Sequence, residues 1–209
     1  MPAQTNKPAI KAVIFDMGGV ILRTEDMTSR TELAAKFGLS RHELEMIVFQ
    51  SPESKRAELG EFTREEHWEN VARLLHFPES ELDEFQRAYW DGDAVDEELE
   101  MFIRGLRPKF RTGLLSNAWQ GTRDMTVERG YTFLTAFDVI MFSCEVHLRK
   151  PDPRIFHLML DRLGVNACEA VFVDDFIDNI EGAKAVGLNT VWFKGREDAV
   201  RQLRELGVE

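Results

Sequence analysis

The chain has 209 residues, of which 44% are hydrophobic and 30% are charged, and its formal net charge is −11. This composition is typical of a folded protein and excludes a disordered or collagen-like chain. The negative charge argues against binding through a phosphate backbone or an anionic membrane surface. We therefore expect neither nucleic acid nor a membrane among its partners.

Cysteine content and the first residues indicate a cytoplasmic protein. Only Cys144 and Cys168 are present, and they lack Cys-x-x-Cys spacing, so neither a disulfide framework nor a zinc cluster is indicated. Residues 1–11 contain no apolar segment of the kind found in secretory signals. No apolar run approaches the ~18 residues of a membrane span.

Short apolar runs predict five buried strands, because such runs between polar residues suit a sheet that is covered on both sides. They lie at residues 12–15, 112–115, 139–142, 170–173 and 190–193. Segments of helical periodicity separate them, at residues 125–129, 155–163 and 180–186, and another at 200–206 closes the chain. This alternation predicts an α/β fold, a Rossmann-like parallel sheet between two layers of helices.

The alternation stops after the first strand, and helical patterns alone continue for about 70 residues. Thr63 and Glu66 fit a capping box that opens one of these helices. The segment holds 17 acidic and 8 basic side chains, which account for 9 of the 11 net negative charges. We expect a helical cap at residues 24–94, inserted into an α/β core formed by residues 1–23 and 95–209.

Polar side chains follow four of the predicted strands. They are Asp16 after the first, Ser116 and Asn117 after the second, Lys150 beyond the third, and Asp174 and Asp175 after the fourth. Ligands of open parallel sheets bind outside the carboxyl ends of the strands, so we expect these side chains to meet at one edge.

The residue types at this edge suit metal-assisted phosphoryl transfer. Carboxylates that are brought together repel one another unless a cation lies among them, and an all-oxygen ligand set favours Mg²⁺. The Ser116 hydroxyl, the backbone N–H of Asn117 and the Lys150 ammonium are suitable donors to phosphoryl oxygens. Asp16 would then be the nucleophile.

These residues also carry a family resemblance. Phe15-Asp16-Met17-Gly18-Gly19-Val20, Leu115-Ser116-Asn117, Arg149-Lys150-Pro151-Asp152 and Val173-Asp174-Asp175-Phe176-Ile177-Asp178-Asn179 resemble the four ordered motifs of the haloacid dehalogenase (HAD) superfamily. The resemblance implies that Asp16 forms an aspartyl-phosphate that water hydrolyses, and that Ser116 and Lys150 bind the phosphate. It also implies that Asp175 and the Gly18 carbonyl bind Mg²⁺, with Asp174 as a supporting partner or an alternate ligand.

Gly18 departs from the pattern of most phosphatases of the family. They have an aspartate at this position, which protonates the leaving oxygen and later activates water. Proton transfer of this kind contributes about 10²- to 10⁴-fold, so we expect slow hydrolysis of poor leaving groups. The Asp-x-Gly-x-Val pattern resembles a bacterial subgroup that includes a glucose-1-phosphate phosphatase.

We therefore predict a Mg²⁺-dependent phosphatase of a small phosphorylated metabolite, with sugar phosphates as the first candidates. One alternative is a 2-haloacid dehalogenase, in which Asp16 attacks carbon and no metal is needed. The other is a catalytically weak HAD-fold binding protein, for which Gly18 is the only support. The crowding of Asp174 and Asp175 beside Asp16 favours the phosphatase.

Three further side chains keep two interpretations each. Trp119, just beyond the phosphate loop, is either a substrate contact or a packing residue. Arg23 either reaches a substrate anion or forms an ion pair at the base of the cap. His67 lies either on the surface or between helices, and the aromatic residues of the cap are expected to pack at helical spacing.

Overall fold

The computed structural model describes residues 8–209, so most of the segment at residues 1–11, on which the expectation about a secretory signal rests, lies outside it. Seven strands are present, in chain order β1 (Ala12–Phe15), β2 (Leu22–Thr24), β3 (Asp93–Val95), β4 (Arg111–Ser116), β5 (Val139–Phe142), β6 (Ala170–Asp174) and β7 (Asn189–Trp192). Five of them form a parallel sheet in the order β5-β4-β1-β6-β7. The predicted α/β fold is confirmed.

Eleven α-helices lie in the described part of the chain. Those of the cap region are α1 (Thr28–Lys36), α2 (Arg41–Gln50), α3 (Pro52–Ala57), α4 (Arg64–Leu75) and α5 (Leu82–Trp90). Those of the core are α6 (Glu97–Gly105), α7 (Thr122–Glu128), α8 (Ser143–Val146), α9 (Pro153–Leu163), α10 (Ile177–Ala185) and α11 (Arg196–Glu205). The predicted capping box is present, with Thr63 as the N-cap of α4 and Glu66 at its third position.

The central strand β1 is buried on both faces, because its side chains alternate between two hydrophobic layers. Val13 and Phe15 point into the layer that contains α6 and α11. Ala12 and Ile14 point into the layer that contains α9 and α10. All four residues are fully buried, so the end of β1 is held rigidly.

The cap has a separate core that is rich in aromatic residues. Trp68, Phe85 and Tyr89 are buried there, with ring centroids about 6 Å apart. The chain enters and leaves the cap through the antiparallel ribbon of β2 and β3. The sequence patterns did not predict this ribbon, because three-residue strands are too short to establish a hydrophobic period.

None of the helices in residues 8–209 combines the length and the hydropathy needed to cross a bilayer.

Candidate active site

The register of the sheet brings the first and fourth polar motifs together. Phe15 at the end of β1 pairs with Leu114 of β4 on one side and with Val173 of β6 on the other. The next residues, Asp16 and Asp174, therefore lie side by side where the strands end. Oxygen atoms of Asp16, Asp174 and Asp175 lie within 4.8 Å of one another.

Lys150 provides a buried positive charge between two of these carboxylates. Its ammonium nitrogen lies 2.8 Å from Asp16 Oδ1 and 2.6 Å from Asp174 Oδ2. Lys150 is only 1% exposed, and Asp174 is fully buried. A buried ion pair needs this close geometry, because each ion loses its hydration on burial.

Two asparagines hold the ion pairs in place. The Asn117 side chain donates to the Lys150 carbonyl at 3.0 Å and accepts from the Lys150 backbone N–H at 2.8 Å. Asn179 donates to both carboxylate oxygens of Asp174 at 3.1 Å. Sequence reasoning gave Asn117 a role only through its backbone N–H and gave Asn179 no role. The signal that was available is position, because Asn117 directly follows β4 and Asn179 lies in the first turn of α10.

Burial and crowding perturb the acidity of these groups. Burial raises the pKa of Asp16 to about 7, with Lys150 opposing the rise and the charges of Asp174 and Asp175 adding to it. Burial alone would lower the pKa of Lys150, but Asp16 and Asp174 raise it above its ordinary value. Lys150 therefore stays protonated, but its single charge does not fully offset the burial and crowding of the carboxyl groups, so the pKa of Asp16 stays raised.

Asp175 stands at the solvent-facing side of the cluster. Desolvation by the protein atoms around its carboxyl group raises its pKa to about 6, and the charge of Asp174 adds to this rise. Gly19 packs directly beneath it, since a Cβ at residue 19 would lie 2.1 Å from Asp175 Oδ2. Gly19 also has a φ of +77°, which favours glycine. The loop after β1 is thus shaped to admit the Asp175 carboxylate.

Ser116 and Gly18 complete the set of predicted site residues. The Ser116 hydroxyl is buried at the end of β4, 3.4 Å from the Asn117 carbonyl oxygen. Gly18 lies in the loop after β1, and a Cβ placed there would meet no atom within 4 Å. The structure brings Asp16, Lys150, Asp174 and Asp175 together, and their roles, like those of Ser116 and Gly18, stay predictions.

Trp119, His67 and Arg23 all make contacts within the protein. Trp119 enters the aromatic core of the cap and stacks on His67, with ring centroids 3.8 Å apart. His67 is buried between elements rather than on the surface. Arg23 pairs with Asp96 at 2.8 Å and with Glu25 at 2.8 Å, which is the ion pair at the base of the cap.

Comparisons with known proteins place this site in context. The phosphorylated carbohydrates phosphatase of Thermotoga maritima is 28% identical over 88% of this chain and 84% of its own. The bifunctional epoxide hydrolase 2 of Sus scrofa is 27% identical over 95% of this chain. The chain spans only part of the first curated relatives it matches, from 8% of their length to the 39% found for the porcine protein.

A solved structure shares the fold over nearly the whole chain. It is a HAD family enzyme from Bacteroides thetaiotaomicron in complex with magnesium and inorganic phosphate, with a TM-score of 0.74. The match covers 94% of this chain and 100% of the Bacteroides chain. The sequence identity is 22%, so the similarity shows the fold alone. A family model of haloacid dehalogenase-like hydrolases matches residues 10–187. The chain belongs to the haloacid dehalogenase-like hydrolases.

Proposed function

We propose that the chain is a Mg²⁺-dependent phosphatase that hydrolyses a small phosphorylated metabolite through an aspartyl-phosphate on Asp16. The observation that carries the proposal is the cluster of Asp16, Asp174 and Asp175, whose oxygen atoms lie within 4.8 Å of one another around the buried Lys150 ammonium. One ammonium cannot compensate three carboxylates and an incoming phosphate. In this proposal a bound Mg²⁺ supplies the additional positive charge.

The donor set fits magnesium. Mg²⁺ prefers oxygen ligands and is commonly held by one or two carboxylates together with phosphate oxygens and water. Asp16 and Asp175 are the proposed ligands, with the Gly18 carbonyl as a third and Asp174 as a supporting or alternate ligand. The absence of a Cβ at Gly19 leaves room for the Asp175 carboxylate. When bound, Mg²⁺ offsets the repulsion between the phosphate and the carboxylate that attacks it.

The protein side chains have separate tasks in this mechanism. Asp16 lies at the rigid end of β1 and attacks phosphorus, so that a P–O bond to Asp16 forms as the bond to the leaving group breaks. Lys150 holds Asp16 by its Oδ1 at 2.8 Å and neutralises charge on the phosphoryl oxygens. Ser116 donates its hydroxyl to the same oxygens. Water then attacks phosphorus and releases Asp16.

The substrate class is inferred from the cap. An aromatic-rich cap above the site excludes water and limits the size of the group attached to the phosphate. The Thermotoga relative acts on phosphorylated carbohydrates, as its name states, which supports sugar phosphates as the first class to screen. Glucose 1-phosphate belongs in that panel because of the Asp-x-Gly-x-Val pattern.

The test compares wild-type protein with Asp16→Asn on 4-nitrophenyl phosphate and a panel of sugar phosphates, each with Mg²⁺ or with EDTA. We expect turnover of wild-type protein only with Mg²⁺, and none for Asp16→Asn. Asp161→Asn is the matched control, because Asp161 is an exposed aspartate in the last turn of α9. Undiminished turnover by Asp16→Asn, or full activity in EDTA, would refute the proposal.

A further inference from the structure

The proposed reaction needs a proton donor that the first loop does not contain. Alkoxide leaving groups of sugar phosphates are strong bases, so a positioned acid normally assists their departure. Gly18 has no side chain that can transfer a proton, although the surrounding space is open. Among the clustered carboxyl groups, Asp16 is the nucleophile, Asp175 a proposed metal ligand, and Asp174 accepts hydrogen bonds from Lys150 and Asn179.

A carboxyl group from the cap pairs with Arg149 of the core. Glu58 follows α3, and its side chain is only 7% exposed. Its Oε2 atom accepts a hydrogen bond from the Arg149 side chain at 2.6 Å, and Arg149 directly precedes Lys150 in the chain. Among residues 8–209, no hydrogen bond to the second oxygen of Glu58 is found. Glu58 therefore has one oxygen fixed and one available.

The segment that carries Glu58 is docked on the residues that follow β4 and β5. The Leu59 carbonyl oxygen lies 2.8 Å from Nδ1 of His147, and the Gly60 carbonyl accepts from the Gln120 side chain at 2.9 Å. A Cβ at Gly60 would lie 2.6 Å from the Cys144 carbonyl oxygen. This close approach fixes the position of Glu58 relative to the core.

The surroundings of Glu58 also suit proton transfer. Burial raises the pKa of its carboxyl group, and the nearby charges of Arg149, Lys150 and Lys55 lower it, with a net rise. A raised pKa brings the Glu58 carboxyl group closer to the protonated form that a general acid requires.

We propose that Glu58 is the acid and base of the reaction, supplied by the cap in place of a residue at position 18. This inference rests on the proposed phosphatase function. In the first step the Glu58 carboxyl group gives its proton to the leaving oxygen as Asp16 bonds to phosphorus, which releases an alcohol and leaves a Glu58 carboxylate. In the second step that carboxylate takes a proton from the water that attacks phosphorus, which restores the acid and frees Asp16.

The experiment measures each step of Glu58→Gln separately, with Mg²⁺ present. We expect kcat on a sugar phosphate to fall about 10²-fold or more. The first release of 4-nitrophenolate from 4-nitrophenyl phosphate should stay near the wild-type rate, because that leaving group needs no proton, and phosphoenzyme should then accumulate. The size of the nitrophenolate burst also reports how much of the variant is folded.

Matched variants separate proton transfer from a structural role. Glu61→Gln removes the carboxylate of an exposed pair three residues away, Arg56 with Glu61 at 2.6 Å, and should leave both steps unchanged. Gly18→Asp has room for its side chain and should restore turnover when it is added to Glu58→Gln. An equal fall in burst and turnover without rescue by Gly18→Asp would overturn the role of Glu58. Undiminished turnover by Asp16→Asn would instead count against the proposed function itself.

Discussion

Acid should destabilise the junction between cap and core through the buried His67. Its ring stacks on Trp119 at 3.8 Å, and neither ring nitrogen has a hydrogen-bond partner among the described residues. Burial lowers the pKa of His67 from 6.5 to about 4. Below pH 6.5 the unfolded chain therefore binds a proton at this residue that the folded chain excludes, so stability falls as the pH decreases.

The size of the effect follows from the two pKa values. Between pH 7.5 and pH 5 this single group should lower the free energy of unfolding by about 2 kcal/mol, at about 1.4 kcal/mol for each unit of pKa difference that is expressed. His67→Phe keeps an aromatic ring against Trp119 and removes the titration. The variant should be at least as stable as wild type at pH 7.5, because no hydrogen bond is lost, and should be about 2 kcal/mol more stable at pH 5.

The measurement is urea unfolding of both proteins at pH 7.5, 6 and 5, with the difference between them taken at each pH. Other acidic groups titrate in this range, but they contribute equally to both proteins and cancel. His157→Phe is the control for the replacement itself, because it makes the same change at an exposed position on α9. A difference between wild type and His67→Phe that stays constant across the three pH values would refute the reasoning.

Two further substitutions test the packing of the loop after β1 and the interior of the cap. Gly19→Ala places a Cβ 2.1 Å from Asp175 Oδ2 at a φ of +77°, so we expect both turnover and the rise in melting temperature caused by Mg²⁺ to be lost; an unchanged Mg²⁺ response would contradict this. Arg30→Met breaks a buried pair with Asp93 at 3.0 Å and should lower the free energy of unfolding by about 3 kcal/mol, measured in urea. Arg201→Met, which removes an exposed pair, should lower the free energy of unfolding much less, and an equal loss in both variants would show that burial is not the cause.

The core of the fold and the location of the candidate site could be predicted from the sequence for a simple physical reason. Strands such as β1 are buried on both faces and therefore appear as continuous apolar runs. The polar residue that ends each run, such as Asp16 or Asp174, is then conspicuous. Because the strands are parallel, their carboxyl ends all lie at one edge of the sheet, and the polar residues that follow them meet there.

Contacts that depend on the docking of two separate segments could not be predicted in the same way. Glu58 and Arg149 are 91 positions apart, and neither lies in a pattern that indicates its partner. The hydrogen bonds of the Asn117 side chain likewise depend on how the loop before Lys150 returns to the sheet. The periodicity of a sequence indicates which face of a helix or strand is buried. It does not indicate which polar atom of a distant segment will form a hydrogen bond with that element.

On the proposed function, charge and proton transfer come from different parts of the molecule. The strand ends hold Asp16, Lys150 and Asp174 in fixed positions, so the electrostatic part of the site exists whatever the position of the cap. Glu58 belongs to the cap and can act only when the segment at residues 58–60 is docked on the core. Phosphate would therefore bind before the leaving group is protonated, and departure of a poor leaving group would depend on cap closure. A substrate that fits beneath the docked cap would thus be selected at the step where the P–O bond breaks, where binding energy contributes most to rate.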